Sequence, residues 1–185
     1  PVFAHPIHHN DINNKFDYIF KRDEIFNEKN PYLGGGLPLL NLHCIDEINQ
    51  FFPALKLDTF LSPHGTGKTL SLVTDSFAYI IDCHEIPKEA VQKLADKKID
   101  CLIIDCLQPT PHPSHLTLQQ SFDYIKTINP KRAYLIHMNH DLAHSELEKL
   151  AIQEFNFPVT PAFDGLKISI WKTYLIAAFL LFLQG

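Results

Sequence analysis

The sequence predicts an α/β domain in which helices pack on a central sheet. Apolar strand-like runs alternate with segments of helical periodicity between residues 77 and 155, and this alternation is typical of layered α/β folds. Residues 101–106 (CLIIDC) are apolar almost throughout and indicate a strand that is covered on both faces. A chain of 185 residues with 45% hydrophobic content is long enough to bury a core in one domain.

The first third of the chain carries the weaker patterns. Residues 1–30 mix His, Asn and aromatic side chains and predict a short helix around residues 10–18. A connection rich in Gly and Pro follows at residues 30–38. From residue 54 apolar and polar positions alternate, which predicts a half-buried strand.

Turn residues and helix-boundary residues divide the rest of the chain. Asp75 and Ser76 separate two strands, and Pro87 opens a helix. Asn129, followed by Pro130, ends another helix. The predicted strands are residues 70–74, 77–82, 101–106, 133–137 and 166–170, and the predicted helices are residues 87–98, 116–128 and 141–155.

Charge and cysteine content exclude several classes of protein. The formal net charge is -5 and the Lys and Arg residues are scattered, so no nucleic-acid partner is predicted. The four Cys residues form no C-x-x-C pair, which excludes a zinc ribbon and a thioredoxin site. A reducing cytoplasm is the expected compartment. The 11 His residues point toward metal or phosphate chemistry.

Residues 171–185 (WKTYLIAAFLLFLQG) form a mainly apolar tail. The apolar run is shorter than the ~20 residues that a helix needs to cross a bilayer, so no membrane partner is predicted. A packed helix, a dimer contact and the product of a disrupted reading frame all fit its composition. We therefore separate the tail from residues 1–170, which hold the predicted domain.

Residues 62–69 (SPHGTGKT), from Ser62 to Thr69, imitate a phosphate-binding loop. A true loop of this kind begins with Gly and opens directly into a helix whose N-terminus holds phosphate. Here Ser62 stands in the first position, and the strand-like segment LSLVTDSFAYIID follows. A nucleotide binder is therefore the minor alternative.

Polar side chains at the ends of predicted strands offer a different chemistry. His64, Asp82, Asp105 and His137 each follow or end a strand, and such positions meet at one edge of an α/β sheet. Neutral imidazole binds Zn²⁺ or Mn²⁺, and a carboxylate can bridge two ions. Singly, each of these residues fits a turn, a cap or a surface position. The set as a whole favours a metal site.

The order of these motifs resembles the metallo-β-lactamase superfamily. The branch that it resembles most is that of phosphodiesterases, typified by phosphoribosyl 1,2-cyclic phosphate phosphodiesterase. The resemblance implies an αββα layered sandwich and hydrolysis of a small phosphodiester by a hydroxide that two divalent ions, Zn or Mn, activate. The resembling stretches are residues 63–65 (PHG), 77–87 (FAYIIDCHEIP), 99–125, 133–144 (AYLIHMNHDLAH) and 161–168 (PAFDGLKI).

The resemblance also implies roles for individual residues. His64 matches a ligand of one metal, Asp82 matches the bridging aspartate, and His137 matches the terminal ligand of the other metal. His115 matches a catalytic His that contacts the phosphate and donates a proton to the leaving oxygen.

Three further residues receive roles outside the metal ligands. His140 matches a His that helps to hold a separate structural zinc in parts of the branch. Asp105 is expected to be an outer partner that orients a ligand imidazole. Asp164 matches the Asp of the closing Asp-Gly motif and is expected in a turn.

The central H-x-H-x-D-H motif of the family is absent from the sequence. The cluster of His5, His8 and His9 has the wrong spacing, and we interpret it as coincidental, with metal binding as the alternative. Without the motif each metal keeps two protein ligands, whereas three or four are normal. The domain is therefore expected to lack its N-terminal part, with the missing ligands before Pro1.

Two hypotheses follow from the missing motif. The chain is either the C-terminal portion of a phosphodiesterase, active only with a complementing N-terminal segment, or a non-catalytic remnant or binding module that keeps the fold. In both cases the sheet is expected to have an exposed edge and an uncovered face, which favours association such as a homodimer.

Overall fold

The computed structural model describes residues 1–34 and 36–170, and the predicted tail at residues 171–185 lies outside the described residues. The chain divides between Leu57 and Asp58 into two compact units, which are treated separately below. Among the described residues no helix has the length and apolar character needed to span a membrane.

The first unit is built on two short parallel strands, β1 (Val2–Ala4) and β2 (Leu42–Cys44). The ring of Phe3 packs edge to face on the ring of Phe51, with centroids 5.1 Å apart. The predicted helix around residues 10–18 is divided in two, because Phe16 (φ -123°, ψ 41°) lies outside the helical region. The helices are α1 (His9–Lys15), α2 (Asp17–Phe20), α3 (Arg22–Ile25) and α4 (Ile48–Phe51), with 3-10 turns at Pro6–His8 and Ile45–Glu47.

The second unit contains a six-stranded sheet whose strands follow one another in chain order. Its first three strands form an antiparallel meander, and its last four strands are parallel. The strands are β3 (Asp58–His64), β4 (Gly67–Val73), β5 (Phe77–Ile80), β6 (Cys101–Asp105), β7 (Arg132–Ile136) and β8 (Val159–Pro161).

Three helices connect the parallel strands, as parallel pairing requires. They are α5 (Lys88–Lys97), α6 (Leu118–Ile128) and α7 (His144–Glu154). Each follows the period that the sequence predicts, and α6 has the Thr117 cap with Gln120 three residues later.

The core lies between these helices and one face of the sheet. Ile80, Leu102 and Leu135 are fully buried and pack in one cluster with Leu94 of α5 and Ile125 of α6. The opposite face carries apolar side chains that are half-buried. The register aligns four of them across the sheet, Leu72, Tyr79, Ile103 and Tyr134.

The segment from Ser62 to Thr69 is a β-hairpin, so the nucleotide-binding alternative is wrong. His64 pairs with Gly67 across a two-residue turn, and Gly65 there adopts the left-handed conformation (φ 55°). β4 continues directly from this turn, so no helix N-terminus is present to hold a phosphate.

Two strand boundaries differ from the predicted ones. The strand predicted from residue 54 begins at Asp58, because the Asn49 side chain donates to the Leu57 carbonyl and accepts from its amide (2.7 and 2.8 Å). The strand predicted at residues 166–170 is absent there, and β8 pairs with β7 instead. Local alternation does not specify which segment finds a ladder partner.

Candidate metal centre

The ends of four strands bring the predicted site residues to one edge of the sheet. β3 and β5 run in the same direction, because each is antiparallel to β4. β6 and β7 are parallel to β5. The residues at or just beyond the carboxyl ends of these strands, His64, Asp82, Asp105 and His137, therefore meet at the same edge.

Two of these residues have unusual backbone conformations. Asp82 (φ 51°) and His137 (φ 70°) are both left-handed, which costs a non-glycine residue about 1–2 kcal/mol. The Thr69 hydroxyl donates to the Asp82 carbonyl at 2.8 Å and helps to hold this turn. Strained residues that the surrounding structure maintains cluster at functional sites.

His115, from the loop between β6 and α6, completes the cluster. Its Nδ1 lies 2.9 Å from Asp105 Oδ2, and its Nε2 lies 3.4 Å from His64 Nε2. On the other side, His137 Nε2 lies 3.1 Å from Asp82 Oδ1. The rings of His115 and His137 are stacked, with centroids 4.3 Å apart.

Burial controls the protonation of this cluster. Burial raises the pKa of Asp105 to about 6, although the hydrogen bond from the Cys83 amide opposes the change. Burial also lowers the pKa of His64, and the neighbouring His115 lowers it further. The pKa of His115 is lowered by burial as well. The neutral imidazoles of His64 and His115 are therefore favoured, and the neutral form is the one that binds metals.

The donor atoms fit a divalent transition-metal ion. Two groups can each offer three ligand atoms within 4.8 Å of one another, and they share His115: the first is His64, Asp82 and His115, and the second is Asp105, His115 and His137. Imidazole nitrogens with a carboxylate oxygen suit zinc, manganese and iron. The Oδ1 atom of Asp105 is buried without a hydrogen-bond partner, so this oxygen is a free acceptor beside the cluster.

Other predicted residues lie away from this cluster. His140 has a side chain that is 93% exposed and pairs with Asp141, so its predicted part in a structural zinc site stays a prediction. Asp164 lies in the turn between Phe163 and Leu166. In residues 1–34 and 36–170, the possible metal-binding groups lie in the cluster, and none includes a His from positions 5–9.

Two features of the site escaped the sequence. The first is the Thr69 hydroxyl, which holds the turn at Asp82. Thr69 lies in residues 62–69, which imitate a phosphate-binding loop, and no sequence pattern indicates its contact with Asp82. The contact between His115 and His64 joins residues 51 positions apart. Pro111 and Pro113, on either side of His112, were the local signal of an ordered loop.

The second unit is a sheet with helices on one face and a His/Asp cluster at its carboxyl edge, which is the edge where α/β sheets place their ligand sites. The family model described as "Beta-lactamase superfamily domain" matches residues 1–138. The chain belongs to the β-lactamase superfamily, which confirms the resemblance found in the sequence.

Solved structures agree with the fold. The structure of a new diphosphatase from the PhnP family is 21% identical, with a TM-score of 0.63 over 91% of this chain and 58% of its own. The metallo-β-lactamase fold protein YhfI from Bacillus subtilis is 14% identical, with a TM-score of 0.54 over 90% of this chain and 63% of its own. The predicted αββα, metallo-β-lactamase-like fold class is thus confirmed, and the chain spans less than two thirds of either structure.

A curated relative carries an unrelated name. An octanoyltransferase from Porphyromonas gingivalis is 29% identical over 164 residues, which is 86% of this chain and 30% of that protein. The chain therefore corresponds to less than a third of the relative, and the activity in its name belongs to that whole protein.

Proposed function

We propose that this domain hydrolyses small phosphodiesters with two divalent ions, Zn or Mn, held at the edge of the sheet. The observation that carries the proposal is the convergence of His64, Asp82 and His137 from three different strands. The ion pair, when bound, would supply positive charge toward a phosphoryl oxygen and lower the pKa of water to give a hydroxide nucleophile.

The chain's own residues divide the work. His64 and Asp82 would hold one ion, and Asp82 and His137 the other, with Asp82 shared between them. Asp82 and His137 both have left-handed backbone conformations, and their side chains meet at 3.1 Å. Preorganised ligands of this kind need no rearrangement when charge develops on the substrate.

In the complete site His115 would first take a proton from solvent at Nε2 and would then deliver it to the leaving oxygen. The Asp105 carboxylate accepts from its Nδ1 and fixes the imidazole, so that Nε2 is the nitrogen presented to the cluster. A general acid held in this way can act only on a group that approaches from the side of His64.

The ligand set of the full reaction exceeds what this sequence supplies. Each ion of the pair would have two protein ligands here, whereas three or four are normal for a catalytic zinc. We propose that an H-x-H-x-D-H segment, on a longer polypeptide or on a separate one, completes the set, and that this chain alone is inactive.

A reducing compartment suits the four free cysteines.

The first experiment measures hydrolysis of bis(p-nitrophenyl) phosphate by this chain with Mn²⁺ or Zn²⁺. The expected result is no turnover above that of the free metal. Turnover that His64→Ala abolishes would show that the site is complete as it stands and would overturn the proposed inactivity.

The second experiment tests the hydrolase itself. A longer polypeptide that adds an H-x-H-x-D-H segment ahead of Pro1 is expected to hydrolyse the same substrate, and Asp82→Asn to abolish this activity. His144→Ala is the control, because His144 Nε2 donates to the Pro161 carbonyl at 3.2 Å, away from the cluster. A folded, metal-loaded polypeptide without turnover would favour the alternative of a non-catalytic binding module.

A further inference from the structure

The imidazole of His115 is oriented as a metal ligand. Its Nδ1 faces Asp105 Oδ2 at 2.9 Å, and the same oxygen accepts the Cys83 amide at 3.1 Å. Asp105 is 0% exposed and His115 is 9% exposed, so water does not compete for this bond. A carboxylate only accepts, so Nδ1 carries the proton and Nε2 carries the lone pair. Carboxylate–imidazole pairs of this kind orient metal ligands in proteins.

The position of His64 matches a shared ion. The Nε2 atoms of His64 and His115 face each other at 3.4 Å. Two imidazole nitrogens bound at ~2.0–2.1 Å to one tetrahedral zinc lie about 3.3–3.4 Å apart. Asp82 offers the third ligand atom. The three residues can each offer one ligand atom within 4.8 Å of the others, and Asp82 Oδ1 lies 4.0 Å from Nδ1 of the His115 ring.

We propose that His64, Asp82 and His115 bind one divalent transition-metal ion in this chain, with Asp105 as the outer partner of His115. This inference rests on the metal centre of the proposed function and deepens it. In the complete dinuclear site His115 remains a proton donor. In this chain it replaces a missing ligand and gives three protein ligands with one open position, the count of a catalytic zinc site.

The competing group of Asp105, His115 and His137 fits less well. It needs the same imidazole. The His115 Nδ1 proton and the Cys83 amide engage Asp105 Oδ2, so Oδ1 is the carboxylate atom that remains to bind an ion. His137 has a side chain that is 41% exposed, and its Nδ1 lies 3.9 Å from Asp105 Oδ1. Its Nε2 contacts Asp82 at 3.1 Å, so it can assist from outside the ligand set.

Calorimetry on the intact 185-residue chain tests the proposal with Zn²⁺ and Co²⁺. One ion is expected per chain, and the absorption of bound Co²⁺ is expected to indicate four-coordination. His115→Ala and His64→Ala should each weaken binding at least 100-fold, beyond the about 10–100-fold that loss of an outer partner costs. His137→Ala should change affinity by less than about 10-fold, and His144→Ala should leave it unchanged.

A measurement without mutation guards against variants that fail to fold. Nitrogen-15 NMR of the histidine side chains is expected to show that Zn²⁺ shifts Nε2 of His64 and His115, while the proton of His115 stays on Nδ1. Binding that requires His137 but not His115, an unshifted His115 Nε2, or no metal binding would each overturn the inference. The proposed function would be refuted by a separate result, in which the completed polypeptide binds its metal ions but does not hydrolyse the ester.

Discussion

Replacing Asp105 with asparagine separates the stability of this fold from its affinity for metal. The asparagine oxygen can take the place of Oδ2 and accept from both the Cys83 amide and His115 Nδ1. The new amide nitrogen then takes the place of Oδ1, which has no hydrogen-bond partner. The substitution therefore removes a buried charge and keeps the shape and the two hydrogen bonds of the side chain.

The two expected effects have opposite signs. Burial raises the pKa of Asp105 from an ordinary value of 3.8 to about 6. The stability that belongs to the protonated form is fully present below pH ~4 and is lost as the pH rises through 6. A difference of about 2 in pKa corresponds to about 3 kcal/mol at pH 7, at 1.36 kcal/mol for each pKa unit. The unpaired amide N–H groups in place of Oδ1 cost about 1–3 kcal/mol of this gain. Asp105→Asn should thus raise the free energy of unfolding of the metal-free chain at pH 7 by up to about 2 kcal/mol.

Metal binding should respond in the other direction. A neutral amide holds the His115 imidazole less firmly than a carboxylate and makes it a poorer ligand. Loss of such an outer partner typically costs about 10–100-fold in metal affinity.

Urea unfolding with EDTA at pH 4 and pH 7, together with Zn²⁺ calorimetry at pH 7, measures both effects. Asp100→Asn is the control, because Asp100 forms an ion pair with Lys131 at 2.6 Å near the surface, and such pairs contribute about 0–1 kcal/mol. A variant that is less stable than the parent at pH 7 would refute the reasoning about the buried charge. An unchanged Zn²⁺ affinity would refute the role of Asp105 behind His115.

Two further substitutions test the fold that supports the site. Leu102 is fully buried on strand β6, and Leu102→Ala should lower the free energy of unfolding by about 2–5 kcal/mol in urea. Ile152→Ala, at a 69% exposed position, should change it by less than about 0.5 kcal/mol. Equal effects of the two substitutions would contradict the assigned core. Thr117→Ala removes the cap that accepts from the Gln120 amide at 3.2 Å. It should cost about 1 kcal/mol by thermal unfolding, and no change would show that the cap does not stabilise α6.

The sequence determined the elements whose patterns are local. β6 is apolar on both faces, and α5 and α6 have a helical period with clear boundary residues, so their positions follow from 3.6-residue and 2-residue repeats. His64, Asp82 and His137 could be placed at one edge for the same reason. Strand ends can be read from the sequence, and parallel strands end on the same side.

Long-range pairing decided what the sequence left open. Residues 166–170 alternate like a strand, yet β8 is the segment that finds a partner in β7. Likewise, residues 62–69 are similar in sequence to a phosphate-binding loop, and only their strand pairing shows that they form a hairpin. A segment forms backbone hydrogen bonds in a sheet only if another segment, distant in sequence, packs beside it. Periodicity within one segment does not specify which segment that is.

The candidate ligand set shows the same division most clearly. The sequence identified His115 as a residue that faces the substrate and Asp105 as an outer partner, from resemblance and strand position. Tertiary structure decided that Asp105 binds His115, and that His115 Nε2 turns toward His64 from 51 residues away. A side chain's direction depends on the buried groups packed around it, and those groups come together only when the sheet and its loops are assembled.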